Sequence, residues 1–399
     1  MTVTAHRDEG ALTSPPRVLV MAAALHICND AFFAIIYPLL PFIAAEFDLS
    51  YASVGLLKTA FSASSGVLQL PAGLLAERWG EYALLAWGNG WVAAGLVAMA
   101  AAGSFGLLLT LTVVAGLGGN VQHPLASTMV ARAWEGSRRG TAIGTLNFAG
   151  DLGKMSAPAL VGLFALTVGW RGTLVALGIF GILFSIGVAV LRPWVRPPPL
   201  PAERRSDGSA HADQDGRIPS AFWMLCVVGM LDGTTRTAAL TFLPFALEGR
   251  GMGTAEIGFL FSIVFAGGAA GKFLCGPLGD RFGPFSVVLV TELTTALALC
   301  GLVWGPTAGL LAVAVVFGFG LNGTSSVLYA AVAQLVPSGK RGRGYGLYYT
   351  VIDVAAAAAP VAYGVVADRY DLAVTFGLMA LLTFAVVPLA APMRRYLVG

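Results

Sequence analysis

Nine charged side chains lie inside long apolar stretches of the sequence, and they are the residues best placed to do chemistry. A charge at the centre of a bilayer costs at least about 2.5 kcal/mol unless it is paired or hydrated, so such charges usually serve a function. We therefore treat them as candidates for binding a solute or carrying protons. Five are acidic and four are basic: Asp30, Asp151, Asp232, Glu292, Asp353, Lys58, Lys154, Arg236 and Lys272.

Two pairs of polar residues are spaced so that both members share one helix face. His26 precedes Asp30 by one helical turn, and Asp232 precedes Arg236 by the same interval. Because a low-dielectric site favours the neutral form of a carboxyl group, Asp30 is a candidate proton carrier, with His26 beside it. Arg236 can bind a carboxylate or phosphonate through two parallel hydrogen bonds. The alternative is that each pair only joins neighbouring helices.

Asp151 and Lys154 are also spaced for contact along one helix face. A proton or a solute that breaks this pair would make it a gating element, and a permanently closed structural pair is the alternative. Asp353 occupies the position equivalent to Asp151 in the second half of the chain, but Ala356 replaces the lysine. Asp353 therefore either titrates or finds another partner, and Tyr349 lies one turn before it.

Further candidates are polar side chains in apolar surroundings. Lys58 could bind a solute or extend its ammonium group toward the membrane surface. His123 precedes Pro124, which removes a backbone donor and predicts a local kink in the wall of a cavity. Asn120 and Asn322 occupy equivalent positions in the two halves, which favours a paired role in that cavity.

Long apolar helices must position these residues. The chain is 57% hydrophobic and 11% charged, whereas soluble domains average about 25% charged residues. An apolar stretch of about 20 residues spans a bilayer and must be helical there, so we predict an all-α membrane protein. Nothing in the sequence suggests a phosphate loop, a catalytic triad, a metal site or a cofactor, which argues against an enzyme. The twelve predicted transmembrane helices are 17–44, 51–76, 83–102, 106–132, 139–165, 169–191, 218–246, 255–279, 284–304, 306–335, 342–367 and 371–393.

The chain repeats itself. GLLAERWG at Gly73–Gly80 recurs as GPLGDRFG at Gly276–Gly283, each after a long apolar run. Internal repetition in a sequence of this kind predicts two pseudo-symmetric six-helix bundles. A stretch rich in proline, charge and small polar residues separates the halves and cannot form a core. The predicted divisions are an N-terminal tail (1–16), an N-terminal bundle (17–191), a linker (192–217) and a C-terminal bundle (218–399).

Basic residues predict the orientation. Most of the 24 lysines and arginines fall on one side of the predicted helices, the side that holds both termini and the linker. The positive-inside rule makes that side cytoplasmic, so we predict a multi-pass protein of the bacterial inner membrane. The net charge of +3 then reflects orientation, and no concentrated basic patch suggests nucleic acid. The expected partners are the lipid bilayer, a small-molecule solute and protons, with the chain acting as a monomer.

The twelve spans, the central linker and the repeated G-x-L-[AG]-[DE]-R-[aromatic]-G motif resemble the major facilitator superfamily. His26, Asp30 and the helix 4 segment GLGGNVQHPLAS (Gly116–Ser127) resemble its fosmidomycin-resistance branch. GTAIGTLNFAGDLGKMSAPALVG (Gly140–Gly162) resembles the helix 5 motif associated with antiporters. In that superfamily helices 1, 4, 7 and 10 line the central cavity, with 2, 5, 8 and 11 beside them. The resemblance thus places every intramembrane charge except Glu292 on the inner helices, with Lys272 as a gate or structural residue.

The resemblance also implies a role for the repeated motif. Its acidic and basic residues would form a two-state latch at the cytoplasmic helix ends, with a simple topology anchor as the alternative. The predicted gating residues are Gly73, Glu77, Arg78, Gly80, Gly276, Asp280, Arg281 and Gly283.

These observations predict a proton-coupled secondary transporter of a small organic, possibly anionic, solute that works by alternating access. Export by antiport follows from the branch resemblance, whereas the basic groups of the cavity would also suit uptake of an anion by symport. A ligand sensor that does not transport is a further alternative. The predicted proton-coupling residues are Asp30, His26, Asp151 and Asp353. The predicted substrate-binding residues are Arg236, Asp232, Asn120, His123, Lys154, Lys58, Asn322 and Tyr349.

Overall fold

The computed structural model describes residues 14–67, 69–119, 121–134, 138–198, 220–336 and 341–391. We call residues 14–198 the first half and residues 220–391 the second half. The N-terminal tail before residue 14 and the linker from residue 199 to 219 lie outside the described residues. All regular structure within the described ranges is helical, as the apolar composition predicts.

The described residues of the first half form nine α-helices: α1 (Pro15–Ala34), α2 (Ile36–Phe47), α3 (Tyr51–Val67), α4 (Gln69–Trp79), α5 (Glu81–Ala100), α6 (Phe105–Gly116), α7 (Gln122–Ala133), α8 (Arg138–Val190) and α9 (Arg192–Val195). Those of the second half form six α-helices and one short 3-10 helix (Thr307–Gly309): α10 (Ser220–Glu248), α11 (Thr254–Phe282), α12 (Pro284–Trp304), α13 (Leu310–Leu335), α14 (Arg341–Arg369) and α15 (Leu372–Ala390). Among the described residues, eight helical segments are long and apolar enough to cross a membrane, judged by length and composition.

Several predicted spans are divided in the structure. The span 106–132 consists of α6 and α7, and Pro124 lies in the first turn of α7. A proline is tolerated there because the first helical N–H groups have no partner within the helix, so the predicted kink is a break between two helices. The spans 139–165 and 169–191 are the two parts of α8. Gly169 separates them with φ 69° and ψ 174°, a backbone conformation that favours glycine.

Two helix pairs join the halves. Asp368 of α14 accepts hydrogen bonds from the backbone N–H groups of Tyr51 and Ala52 in α3, at 2.7 and 2.9 Å. In the second pair, Ser262 of α11 accepts a hydrogen bond from the backbone N–H of Ala159 in α8, at 3.1 Å. Small residues allow these helices to approach closely, as where Gly258 packs against α8. The joints therefore lie toward one end of the molecule, the end that carries Tyr51 and Asp368.

The repeated glycine motif ends a helix in each half. Gly80 separates α4 from α5 with φ 85°, and Gly283 separates α11 from α12 with φ 83°. A residue with a Cβ is strained in this conformation, so glycine allows each tight connection. The two connections have the same backbone geometry, as the sequence repeat predicts.

Candidate functional site

Asp30 is the centre of a polar cluster in the first half. Its side chain is 3% exposed, and the Lys154 Nζ atom lies 2.7 Å from its Oδ2 atom. The Nε2 atom of His26 lies 3.5 Å from Asp30 Oδ2, and that of His123 lies 3.7 Å from Oδ1. Helices α1, α7 and α8 thus bring the predicted pair His26 and Asp30 together with His123 and Lys154, which were predicted separately from that pair. The cluster holds a buried carboxylate with one ammonium group and two imidazoles around it.

Asp151 connects this cluster to the second half. Lys272 Nζ of α11 donates a hydrogen bond of 2.6 Å to Asp151 Oδ1, whereas Lys154 Nζ lies 3.9 Å from the same oxygen. The nearest carboxylate of Lys154 is therefore Asp30, and the nearest ammonium of Asp151 is that of Lys272. The predicted contact between Asp151 and Lys154 is present, but it is longer than the contact that each residue makes with its other partner. The result is an alternating chain of charges from Asp30 through Lys154 and Asp151 to Lys272.

The second half holds a separate ion pair. Arg236 Nη2 donates a hydrogen bond of 2.6 Å to Asp232 Oδ2, within α10, as the four-residue spacing predicts. The Nε atom of Arg236 is buried without a hydrogen-bond partner among the described residues. This guanidinium therefore has a free donor, which is a group that an anionic ligand could use.

Glu292 of α12 lies close to the Asp232–Arg236 pair, although the family resemblance assigned it to an outer helix. The residue is 1% exposed, and its Oε1 atom has no hydrogen-bond partner within the described ranges. Burying a carboxyl group with an unpartnered oxygen is costly for the charged form. From the sequence, Glu292 was placed on an outer helix because only the order of its helix in the chain was known, and not the residues around it.

Tyr349 of α14 packs among other tyrosine rings, and Asp353 follows it by one turn on the same helix. Tyr349 is 40% exposed, and its ring centroid lies 5.1 Å from that of Tyr329 and 6.2 Å from that of Tyr345. Asp353 is exposed and forms no ion pair with any described residue, unlike its repeat mate Asp151. The structure therefore leaves Asp353 without a counterpart to Lys272.

Lys58 of α3 is buried rather than extended toward a membrane surface. The residue is 4% exposed, its Nζ atom donates a hydrogen bond of 2.9 Å to Ser62 Oγ, and it lies 5.2 Å from the Tyr37 ring centroid. No described carboxylate lies within ion-pair distance of it. A buried ammonium with only neutral partners is a candidate for binding an anion.

The two predicted asparagines cannot be compared. Asn120 lies outside the described residues. The Nδ2 atom of Asn322 lies against Gly268 of α11, so this side chain fills the space beside a glycine in a helix contact. His123 belongs to the Asp30 cluster instead of standing alone at the break between α6 and α7.

The described side chains of the predicted latch make no ion pair between the halves. Arg78, Asp280 and Arg281 are exposed and form no ion pair with described residues, and Arg281 lies over the ring of Phe282. Gly73 and Glu77 belong to α4, but the surroundings of Gly73 and the side chain of Glu77 lie outside what the structure describes. Gly276 has open space around its Cα position.

Sequence reasoning missed two ion-pair partners. Lys272 was predicted as a gate or structural residue without its partner Asp151, because no acid lies one turn away on its own helix. Glu81 follows the repeated motif and accepts hydrogen bonds from both terminal nitrogens of Arg132. Thr128 donates a third hydrogen bond to Glu81, of 2.9 Å. This buried carboxylate marks the helix ends where the latch was predicted.

Apolar helices that enclose ion pairs between two halves of a chain are typical of multi-pass membrane transporters. The sequence matches the family described as "Major Facilitator Superfamily" over residues 22–224 and again over residues 225–396. The chain therefore belongs to the Major Facilitator Superfamily, which confirms the predicted resemblance. This family consists of transporters, so the chain is a membrane protein and not an enzyme.

Similar proteins are named for several organic solutes. The chain is 26% identical to the fosmidomycin resistance protein of Escherichia coli (strain K12) over 370 residues, which cover 90% of this chain and 88% of the relative. A probable sulfoacetate transporter of Cupriavidus necator is 25% identical, with 83% of each chain covered. The sialic acid transporter NanX of Escherichia coli (strain K12) is 22% identical, with 90% of each chain covered.

Solved structures show the same fold. A bacterial homologue of the human lysosomal transporter Spinster matches with a TM-score of 0.77 and 16% identity, covering 96% of both chains. The nucleoside transporter NupG matches with a TM-score of 0.78 and 14% identity, covering 95% of this chain and 99% of that one.

Proposed function

We propose that the chain is a proton-coupled secondary transporter of a small organic anion, which it moves by alternating access. The observation that carries the proposal is the ion pair between the buried Asp151 of α8 and the partly exposed Lys272 of α11, because it joins the two halves. A proton on Asp151 would remove the charge that holds Lys272, and an anionic solute could then engage the released ammonium. Proton binding, solute binding and the contact between halves are thereby linked in one place.

The uneven distribution of contacts supports alternating access. Among the described residues, the hydrogen bonds that join the halves lie at the end that carries Tyr51 and Asp368 and, between Asp151 and Lys272, in the middle of the helices, and none lies at the end that carries Arg78 and Arg281. The positive-inside rule assigns the arginine-rich end to the cytoplasm. We therefore propose that this structure is open to the cytoplasm and that both termini lie there. Closure of the latch around Arg78 and Arg281 would belong to the opposite state.

The twelve-helix, two-bundle arrangement is part of the proposal. Its support is the family match, which consists of two consecutive segments, residues 22–224 and 225–396. The divided helices of the first half would then form six spans, with α1 and α2, α3 and α4, and α6 and α7 pairing end to end. The bundles would comprise residues 17–191 and 218–399, with a tail before and a linker between them, in a monomer of the bacterial inner membrane.

Basic groups in both halves favour an anionic solute. Lys58 has only neutral partners, and Arg236 has an unpartnered Nε atom. An anion held by groups from both halves would stabilise their approach. Asp232, Lys154, His123, Asn322 and Tyr349 are the remaining described residues that we propose for the solute site, together with Asn120.

Export by antiport is the preferred direction, on the likeness to a fosmidomycin resistance protein. Uptake by symport is the second candidate, favoured by the buried cations and by relatives that are named as sulfoacetate and sialic acid transporters. Asp151 is the proposed coupling carboxylate, and Asp353, which has no counter-ion among the described residues, is the second. His26 and Asp30 stay predicted proton-coupling residues.

A flux assay in proteoliposomes tests the proposal. Vesicles with and without the full-length protein are given labelled fosmidomycin, sulfoacetate or sialic acid under a pH gradient imposed in either direction. Antiport predicts that the solute accumulates in the more acidic compartment, because it moves against the flow of protons. Symport predicts that it accumulates in the less acidic compartment. The exposed Asp48→Asn variant serves as a control with unchanged flux. Flux that is the same under both pH gradients contradicts proton coupling. Binding of a solute without any flux favours a ligand sensor that does not transport.

A further inference from the structure

We infer that His26, Asp30 and His123 form a binding site for one divalent transition-metal ion of the zinc class. The three residues offer two imidazole nitrogens and a carboxylate oxygen, and these ligand atoms all lie within 4.8 Å of one another. Two histidines and one carboxylate with an open fourth position are a recurrent ligand set for Zn²⁺. The inference concerns binding alone and does not depend on the proposed transport.

The distances suit a common ion. His26 Nε2 lies 3.1 Å from His123 Nδ1 and 3.5 Å from Asp30 Oδ2. Two ligand atoms about 2.0–2.1 Å from one zinc ion at the tetrahedral angle lie about 3.3 Å apart. The two spacings from His26 Nε2 fall on both sides of that value. The Nε2 atom of His123 lies 3.7 Å from Asp30 Oδ1, so the His123 ring must move toward the other two ligands to share a single ion with them.

A glycine leaves room beside the ligands. Gly150 of α8 faces the cluster, and a Cβ atom at this position would come within 2.6 Å of Asp30 Oδ2 and 2.7 Å of His26 Nε2. Any other residue would therefore press on both ligand atoms. The absence of a side chain at position 150 keeps the space next to them free.

The site is buried on one side and accessible on the other. The side chains of His26 and Asp30 are each 3% exposed, whereas that of His123 is 46% exposed. His123 nevertheless lies among charges from both halves, with Lys154 and Lys272 near it. It therefore borders the space between the halves, from which an ion could reach the two buried ligands.

Lys154 already places a cation in this cluster. Its Nζ atom lies 2.7 Å from Asp30 Oδ2, so an incoming ion must compete with the ammonium for the carboxylate. A displaced Lys154 has Asp151 as its next acid, 3.9 Å away, and Asp151 already holds Lys272. Metal binding therefore competes, through Lys154, with the ion pair between the halves. Removing the lysine charge should strengthen metal binding.

A Co²⁺ titration tests the inference. The full-length protein, purified in detergent with its affinity tag removed, is titrated with Co²⁺ while the visible d–d absorption of tetrahedral cobalt is recorded. We expect a band that saturates at one ion per chain and that Zn²⁺ abolishes. The His26→Gln and His123→Gln variants should show no saturable band, and His211→Gln, outside the described residues, should behave as wild type. Lys154→Met should bind about tenfold more tightly.

Two glycine variants test the site without removing a ligand, in case the histidine variants do not fold. Gly150→Ala keeps all three ligands but fills the space beside them, and we expect it to lose the band. Gly144→Ala lies on the same helix with open space around it and should keep the band. The inference is overturned if wild type shows no saturable band. It is equally overturned if a band survives in both histidine variants, or if folded Gly150→Ala binds as Gly144→Ala does.

Discussion

The two halves of the molecule treat their buried charges differently. In the first half, Asp30 of α1 contacts side chains from α7 and α8, and the chain of charges continues through Asp151 into the second half. In the second half, Asp232 contacts Arg236 on its own helix. The connected set can pass a change of charge from helix to helix, whereas a local pair cannot. We infer that coupling is located mainly in the first half and at its boundary, with Asp353 as the second coupling carboxylate, and that the second half otherwise contributes groups for the solute.

The largest expected effect is at the centre of the connected set. Asp30→Asn leaves the Lys154 ammonium without its closest carboxylate, and an uncompensated buried charge costs about 3–5 kcal/mol. We expect transport to fall by about a hundredfold, with a lower melting temperature. Adding Lys154→Met should restore the melting temperature but not transport. Unchanged flux in folded Asp30→Asn would show that the connected set has no part in transport.

The next effect concerns the contact between halves. Lys272→Met removes the closest partner of Asp151, but Lys154 remains 3.9 Å away and can compensate in part. We expect the transport rate to fall about tenfold, which is less than for Asp30→Asn because a second cation is available. Lys272→Arg keeps the charge and should retain most of the rate. A rate for Lys272→Met equal to that of the arginine variant would contradict a role for the ion pair.

A different kind of effect is expected in the second half. Arg236→Ala should raise the solute KM about tenfold, because a hydrogen bond to a charged group contributes about 1.5–3 kcal/mol, and should leave the maximal rate nearly unchanged. Initial rates over a range of solute concentrations separate the two parameters. A large fall in maximal rate at unchanged KM would place Arg236 with the coupling residues and remove the distinction between the halves.

The smallest effect is expected at Glu292. This carboxyl group is 1% exposed and has an unpartnered oxygen among the described residues, so a neutral side chain suits the site. Glu292→Gln should change the transport rate by less than about twofold and should not lower the melting temperature. A loss comparable to that of Asp30→Asn would mean that Glu292 is itself a coupling carboxylate of the second half.

What the sequence could predict depended on whether an interaction is local. The Asp232–Arg236 pair and the contact of His26 with Asp30 follow from residues one turn apart, and both are present. The preference of Lys154 for Asp30 could not be predicted, because it depends on how closely α1 and α8 pack at glycines such as Gly153. The tight connections at Gly80 and Gly283 could be predicted, because both copies of the repeat keep a glycine where the backbone has a positive φ.

Partners on distant helices were beyond sequence reasoning for the same reason. Lys272 and Asp151 are 121 positions apart, and nothing in their immediate neighbourhood links them. Glu292 was assigned by its helix number, whereas its burial is set by packing of α12 against α10 and α13. The pairing of intramembrane charges on different helices therefore could not be predicted from the sequence.

The most direct test of the central claim is to separate exchange from proton-driven accumulation in Asp151→Asn. Vesicles are loaded with the anion that wild type accumulates best, and counterflow at equal pH is compared with uptake or export under a pH gradient. We expect Asp151→Asn to retain counterflow but to lose gradient-driven accumulation, because an uncharged amide cannot exchange a proton and leaves Lys272 released in every state. Gradient-driven accumulation equal to that of wild type would contradict the claim that Asp151 couples protons to transport.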